Sequence, residues 1–186
     1  MDFNCTGKHC GLLPLSTKNY WIYEDSIFSN GAFLRVQYDT LRYISAKIST
    51  DGLVWWNANF SVGLPATMYS NESAVFTLSE RLFTPGIVDA RKDYIMPEGD
   101  SVKYLSNFED VAAPARSVRL REDVKTSMGS FSDCILFEKH ARFFRKDQVY
   151  FKPGLGVVKY IQEKTPQGQM TMQVQQISTL VAVHIE

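Results

Sequence analysis

The sequence predicts a mostly β protein: a strongly curved antiparallel sheet, a half-barrel or open barrel, with one or two short helical turns. Three observations lead there. Runs that alternate between polar and apolar residues recur, as at 32–38 and 170–175. Turn dipeptides separate the runs: Asn30-Gly31, Asp51-Gly52 and Pro85-Gly86. Almost no stretch carries a helical period. The chain has 186 residues and no internal repeat, low-complexity tract or linker, so it reads as a flexible tail over 1–12 and a single β domain over 13–186.

The first strand signal lies within 13–24, where Tyr20, Trp21, Ile22 and Tyr23 favour extended backbone and Pro14 marks the end of irregular chain. Asn30-Gly31 turns the chain into 32–38, which places Phe33, Arg35 and Gln37 on one face. Leu34, Val36 and Tyr38 occupy the other, and this second set is the natural core face. A less regular run at 41–48 leads through Asp51-Gly52 into Leu53-Val54-Trp55-Trp56. Residues 69–78 read as one strand, and 79–83 and 107–113 are the candidate helical turns. Extended segments at 118–124 and 125–138 bend at Met128-Gly129. The last two, 148–161 and 170–185, face each other across Thr165-Pro166-Gln167-Gly168, with Met170, Met172 and Val174 on one face.

Charge and composition narrow the functional classes. Twenty basic and twenty acidic residues balance, which argues against nucleic acid as a partner, because phosphate neutralisation drives that binding. The mixed stretch 116–123, with Arg119 and Arg121 on one side, reads as a solvated strand face. No run approaches the ~18 apolar residues that span a bilayer. Met1-Asp2-Phe3-Asn4-Cys5 has no charged leader or apolar run, so membrane contact is expected only through an N-terminal anchor absent from the sequence.

Of three cysteines, Cys134 reads as a buried small hydrophobe. Cys5 and Cys10 lie in a glycine-containing segment that is either a plain tail or closed by a local disulfide. A metal site on Cys5, His9 and Cys10 lacks a fourth ligand.

Catalytic material is sparse. Cys134 and His140 share a strand face but stand roughly 20 Å apart on straight chain, too far for a nucleophile and its base. His184 has no assignable partner, and neither a Gly-x-Ser-x-Gly elbow nor a His-Glu-x-x-His helix occurs. The adjacent acids Glu109-Asp110 and Glu122-Asp123 diverge on a strand. The expectation is therefore a protein that is not an enzyme, with no catalytic residue, metal or cofactor. A hydrolase would require serine, histidine and carboxylate to converge from distant positions.

The binding hint is aromatic. Trp55 and Trp56 point to opposite faces, one into the core and the other outward or into a cavity, and Phe60 follows close by. These three are the candidate ligand-binding residues. Pro153, Gly154 and Gly156 form a structural turn or bulge around Leu155. A phosphate loop is excluded there, since a strand rather than a helix follows.

Three blocks of the chain resemble a large group of uncharacterised envelope proteins, mostly lipoproteins, of Bacteroidetes-type bacteria. The first is Leu13-Pro14-Leu15-Ser16-Thr17-Lys18-Asn19-Tyr20-Trp21-Ile22-Tyr23, similar to "pl-x-x-g-n-y-W-x-Y", with Lys18 where a glycine commonly precedes the asparagine. The second runs from Gly129 to Cys134, and the third from Tyr150 to Lys159, similar to "Y-f-x-x-G-v-G-l-V-k". The resemblance implies a curved sheet similar to the half-barrel of lipoprotein carriers, and export to the periplasm or an outer-membrane anchor. Its expected partners are a lipid or other amphipathic ligand, held in the concave face, or another envelope protein in a surface-glycan complex. It carries over no catalytic residue.

Overall fold

The computed structural model describes residues 11–72, 74–78, 91–95, 115–141 and 144–186. They form a single antiparallel sheet of eleven strands: β1 (Tyr20–Ser29), β2 (Ala32–Ile48), β3 (Val54–Ala58), β4 (Thr67–Ser70), β5 (Ala74–Leu78), β6 (Arg91–Ile95), β7 (Ala115–Thr126), β8 (Gly129–Ala141), β9 (Arg145–Lys152), β10 (Gly156–Lys164) and β11 (Gln173–His184). The spatial order is β6-β5-β4-β3-β2-β1-β11-β10-β9-β8-β7, so two meanders join where the first strand pairs with the last. The edges β6 and β7 do not pair, and the sheet stays open.

Its curvature has local causes. Positive φ at Arg121 (58°) and Asp133 (53°) coincides with register shifts in the β7–β8 pair, the signature of bulges that bend and twist a ladder. The sheet curls so far that β7 comes against β10 and β11, three and four strands away. Asn30 (φ 50°) and Gly31 (φ 78°) close the β1–β2 hairpin in the left-handed conformation that the Asn-Gly pair predicts.

The core fills the concave side. β1 supplies Trp21 and Tyr23, β2 Leu41 and Tyr43, β9 Val149 and Phe151, and β11 Leu180. The chain before β1 straps across one end of the trough. Leu12 N–H donates to the Asn71 carbonyl (3.0 Å) and the Leu12 carbonyl accepts from Gly154 N–H (2.8 Å). Leu12, Leu13 and Leu15 of this segment are buried. In the β9–β10 turn that receives this strap, Gly154 and Gly156 have φ of 79° and 113°. A Cβ on Gly156 would stand 2.7 Å from Leu13 Cδ1.

Three expectations change. Leu34, Val36 and Tyr38 lie on the convex side at 56, 42 and 64 % exposure, and are not core. The phase of β2 is set by Leu41 and Tyr43, which share a face with Gln37 and Asp39. Residues 69–78 are two strands, because the Asn71 side chain accepts from Ala74 N–H (2.8 Å) and builds a turn. Met170 precedes β11 and is 96 % exposed. The candidate helical turns at 79–83 and 107–113, and the cysteines Cys5 and Cys10, lie outside the described residues.

Candidate functional site

The concave face changes character along the strands. Toward the strapped end it is apolar. Trp21 Nε1 donates to the Leu155 carbonyl (2.8 Å), and Tyr23 Oη donates to that of Val157 (2.8 Å), tying β1 to the start of β10. The β3–β4 connection, residues 59–66, folds over this floor. Val62 and Leu64 are buried, and Gly63 sits so close to β9 and β10 that a Cβ would meet Val149 Cγ2 at 2.8 Å and Tyr160 Cδ2 at 3.0 Å. Asn59 anchors the near end of the loop by accepting from Arg42 N–H (2.8 Å) and donating to the Thr40 carbonyl (2.8 Å). Between loop and floor remains a small cavity bounded by Tyr23, Leu41, Tyr43, Phe60, Pro65 and Met68 among others. About 10 Å³ of it admits the centre of a water molecule, room for a single water at most.

One step further along the same strands the face becomes polar. Pairing places Asp25 of β1 beside Ser178 of β11, Ser178 beside Tyr160 of β10, and Gln162 beside Asp147 of β9. Asp39 of β2 lies diagonal to Asp25, since Tyr23 and Gln37 are their direct partners. A row of polar groups thus crosses β2, β1, β11, β10 and β9. At one end Arg145 clasps Asp147 through Nε (2.7 Å) and Nη2 (2.9 Å), and Tyr160 Oη donates to the same carboxylate (2.6 Å). Burial, then that carboxylate, pushes the Tyr160 phenol up to about 12, so it remains a donor.

At the other end Asp25 is 3 % exposed, and its Oδ1 has no hydrogen-bond partner among the described residues. Burial raises the Asp25 pKa first; Ser178 and Gln176 favour the charged form, and Asp39 opposes it. The folded protein therefore holds a proton that the unfolded chain releases near the ordinary value of 3.8. Stability falls as pH rises from that value and stays reduced above the raised one. Asp25→Asn removes the penalty. It is expected to melt higher than the wild type near neutral pH, by about 1 kcal/mol for each unit the acid is raised. Below the ordinary value of 3.8, where Asp25 is uncharged in the folded and the unfolded chain alike, the two melts should coincide. A variant destabilised equally at both pH values would show that the carboxyl is not strained.

The aromatic candidates separate. Trp56 pairs with Met68 on the concave side and meets the Tyr43 ring edge-on (centroids 6.5 Å apart), and Phe60 lines the cavity. Trp55 lies on the opposite face, fully buried against Tyr69 (5.9 Å). Pro153, Gly154 and Gly156 belong to the turn that receives the strap, away from the polar row. The sequence reading passed over Trp21, Tyr23, Asp25, Asp39, Asp147 and Tyr160. A signal for one of them was present: Asp25 continues the Trp21-x-Tyr23 alternation, which puts a carboxyl in phase with the core.

The groups with nucleophile or base chemistry stand elsewhere. The Cys134 thiol is buried, pushed up to about 11, and donates weakly to the Phe131 carbonyl (3.6 Å). His184 stacks on Tyr20 at 5.3 Å.

No protein-family model and no curated protein sequence matches this chain. In three dimensions it is similar to a "putative lipoprotein" of Parabacteroides distasonis ATCC 8503, known from a crystal structure. The TM-score is 0.52 over 96 % of this chain and 100 % of that one, at 11 % identity, so what the two share is the fold.

Proposed function

We propose that this chain is a non-enzymatic protein of the cell envelope, periplasmic or anchored to the outer membrane, that holds an amphipathic ligand on the concave face of its sheet. The observation that carries the reading is the amphipathic face itself. An apolar floor with a loop laid over it gives way, two residues further along the same strands, to a row of carboxyl, hydroxyl and amide groups. Ligand pockets typically need ~300 Å³ or more, so the 59–66 loop must lift to admit an apolar chain. Envelope residence is supported by the three sequence blocks and by likeness in fold to a protein described as a lipoprotein.

Native mass spectrometry of the purified chain, followed by lipid extraction of any adduct, tests the reading. A stoichiometric adduct of lipid-like mass is expected. A clean protein mass after incubation with an envelope lipid extract would count against it.

One observation favours a second reading, an interaction module of an envelope or surface-glycan complex. Leu34, Val36 and Tyr38 form an exposed row on the convex side of β2. On that reading, Leu34→Ser with Tyr38→Ser abolishes specific co-purification of an envelope protein. Unchanged co-purification would remove it.

A further inference from the structure

The Asp25–Asp39 pair is a cost that no lysine or arginine among the described residues offsets. Among the described residues neither carboxyl forms an ion pair with lysine or arginine. Arg145 of the same row is committed to Asp147, and Arg35 Nε donates to Gln37 Oε1 (3.3 Å) rather than to a carboxylate. Gln37 Nε2 donates to Asp39 Oδ2 (3.0 Å) and Gln176 Nε2 to Ser178 Oγ (3.0 Å), and Ser178 and Gln176 are the polar neighbours that favour the charged form of Asp25. Asp25 Oδ1 remains, buried and without a hydrogen-bond partner among the described residues. Asp25 is withdrawn from water without a counter-charge, with the half-buried Asp39 beside it, and a carboxyl held so is retained in a fold only against a penalty. Along the strands they come one step beyond Tyr23 and Leu41, which line the apolar cavity.

We propose that Asp25 and Asp39, with Ser178, form a binding site for a primary ammonium group. The inference rests on the amphiphile reading of the concave face and names the ligand's head: an amine whose apolar chain lies under the 59–66 loop. A primary ammonium carries three N–H donors and no acceptor, which suits two carboxyls and a hydroxyl oxygen. A metal ion fits less well, because calcium takes six to eight oxygens. Among the described residues no three acidic, histidine or cysteine side chains converge.

Titration of the full chain with octylamine, octanoate and octan-1-ol tests this, since the three share a tail and differ in the head. The side-chain amide NMR signals of Gln37 and Gln176 report the head, and the Met68 methyl reports the tail. Octylamine is expected to bind at least roughly tenfold tighter than the other two, the scale of a charge-assisted hydrogen bond. Asp25→Asn and Asp39→Asn should each bring octylamine down to the level of octan-1-ol. Equal affinity for octanoate, or an octylamine preference that survives both substitutions, overturns the proposal. Glutamine shifts with calcium but none with octylamine would also overturn it. If butylamine moves the glutamines while no octyl compound moves Met68, the ammonium site stands and the carrier reading fails.

Discussion

Trp21→Ala is expected to lower folding stability by about 3–5 kcal/mol, the range for deleting a large buried aromatic. Three separate losses meet at this residue. The indole is 1 % exposed and packs edge-on against Tyr43, with ring centroids 5.6 Å apart. Its N–H is the donor for the buried Leu155 carbonyl at 2.8 Å. It also stands beside Gly156, in the turn that receives the N-terminal strap. Removing it opens a cavity, orphans a carbonyl and loosens the connection between the first strand and the β9–β10 turn. Urea denaturation read by circular dichroism measures the loss. Trp21→Phe should retain most of the packing and cost about 1–3 kcal/mol for the unsatisfied carbonyl. A loss below 1 kcal/mol for the alanine variant would mean that the two halves of the sheet are joined by backbone pairing alone.

Gly63→Val is the second large effect, and it bears on function. The residue has φ of +68°, which a β-branched side chain resists, and its Cβ would lie 2.8 Å from Val149 and 3.0 Å from Tyr160. The strain is on the order of 1–3 kcal/mol, and it falls on the seating of the loop, not on the strands. The loop should lift, exposing Trp21 and Trp56 to water and shifting tryptophan emission to the red. If a ligand binds only when the loop is raised, its apparent affinity rises as the closed form is weakened, by up to the same free energy. A destabilised Gly63→Val with unchanged amphiphile affinity would show that ligands do not pass under this loop.

Much of the fold was legible because its turns are chemically specific. Asn30-Gly31 and Asp51-Gly52 demand positive φ and receive it at Asn30, Gly31 and Gly52. Alternation alone misled at β2. Leu34, Val36 and Tyr38 are more apolar than their neighbours, yet the strand runs beyond the core at that end. Its face is set further on, by Leu41 and Tyr43. The pairing of β1 with β11 joins residues from opposite ends of the chain, and no local pattern announces it.

The candidate site was hidden for the same reason. Tyr23, Asp25, Ser178, Tyr160 and Asp147 come together only through strand registers, and each alone looks like an ordinary strand residue. The tryptophan pair was visible, but which of the two faces the concavity depends on the partner strands. Trp56 does, opposite Met68; Trp55 does not.

The most direct test of the concave-face account is a methyl NMR titration of the methionine-labelled chain with octylamine. Met68 is buried in the cavity wall, and Met170 stands almost fully in solvent, so the protein carries both reporter and control. The account predicts a saturable shift of Met68, with cross-relaxation to the octyl chain, while Met170 stays in place. An unmoved Met68, or equal and unsaturable shifts at both methyls, would contradict it.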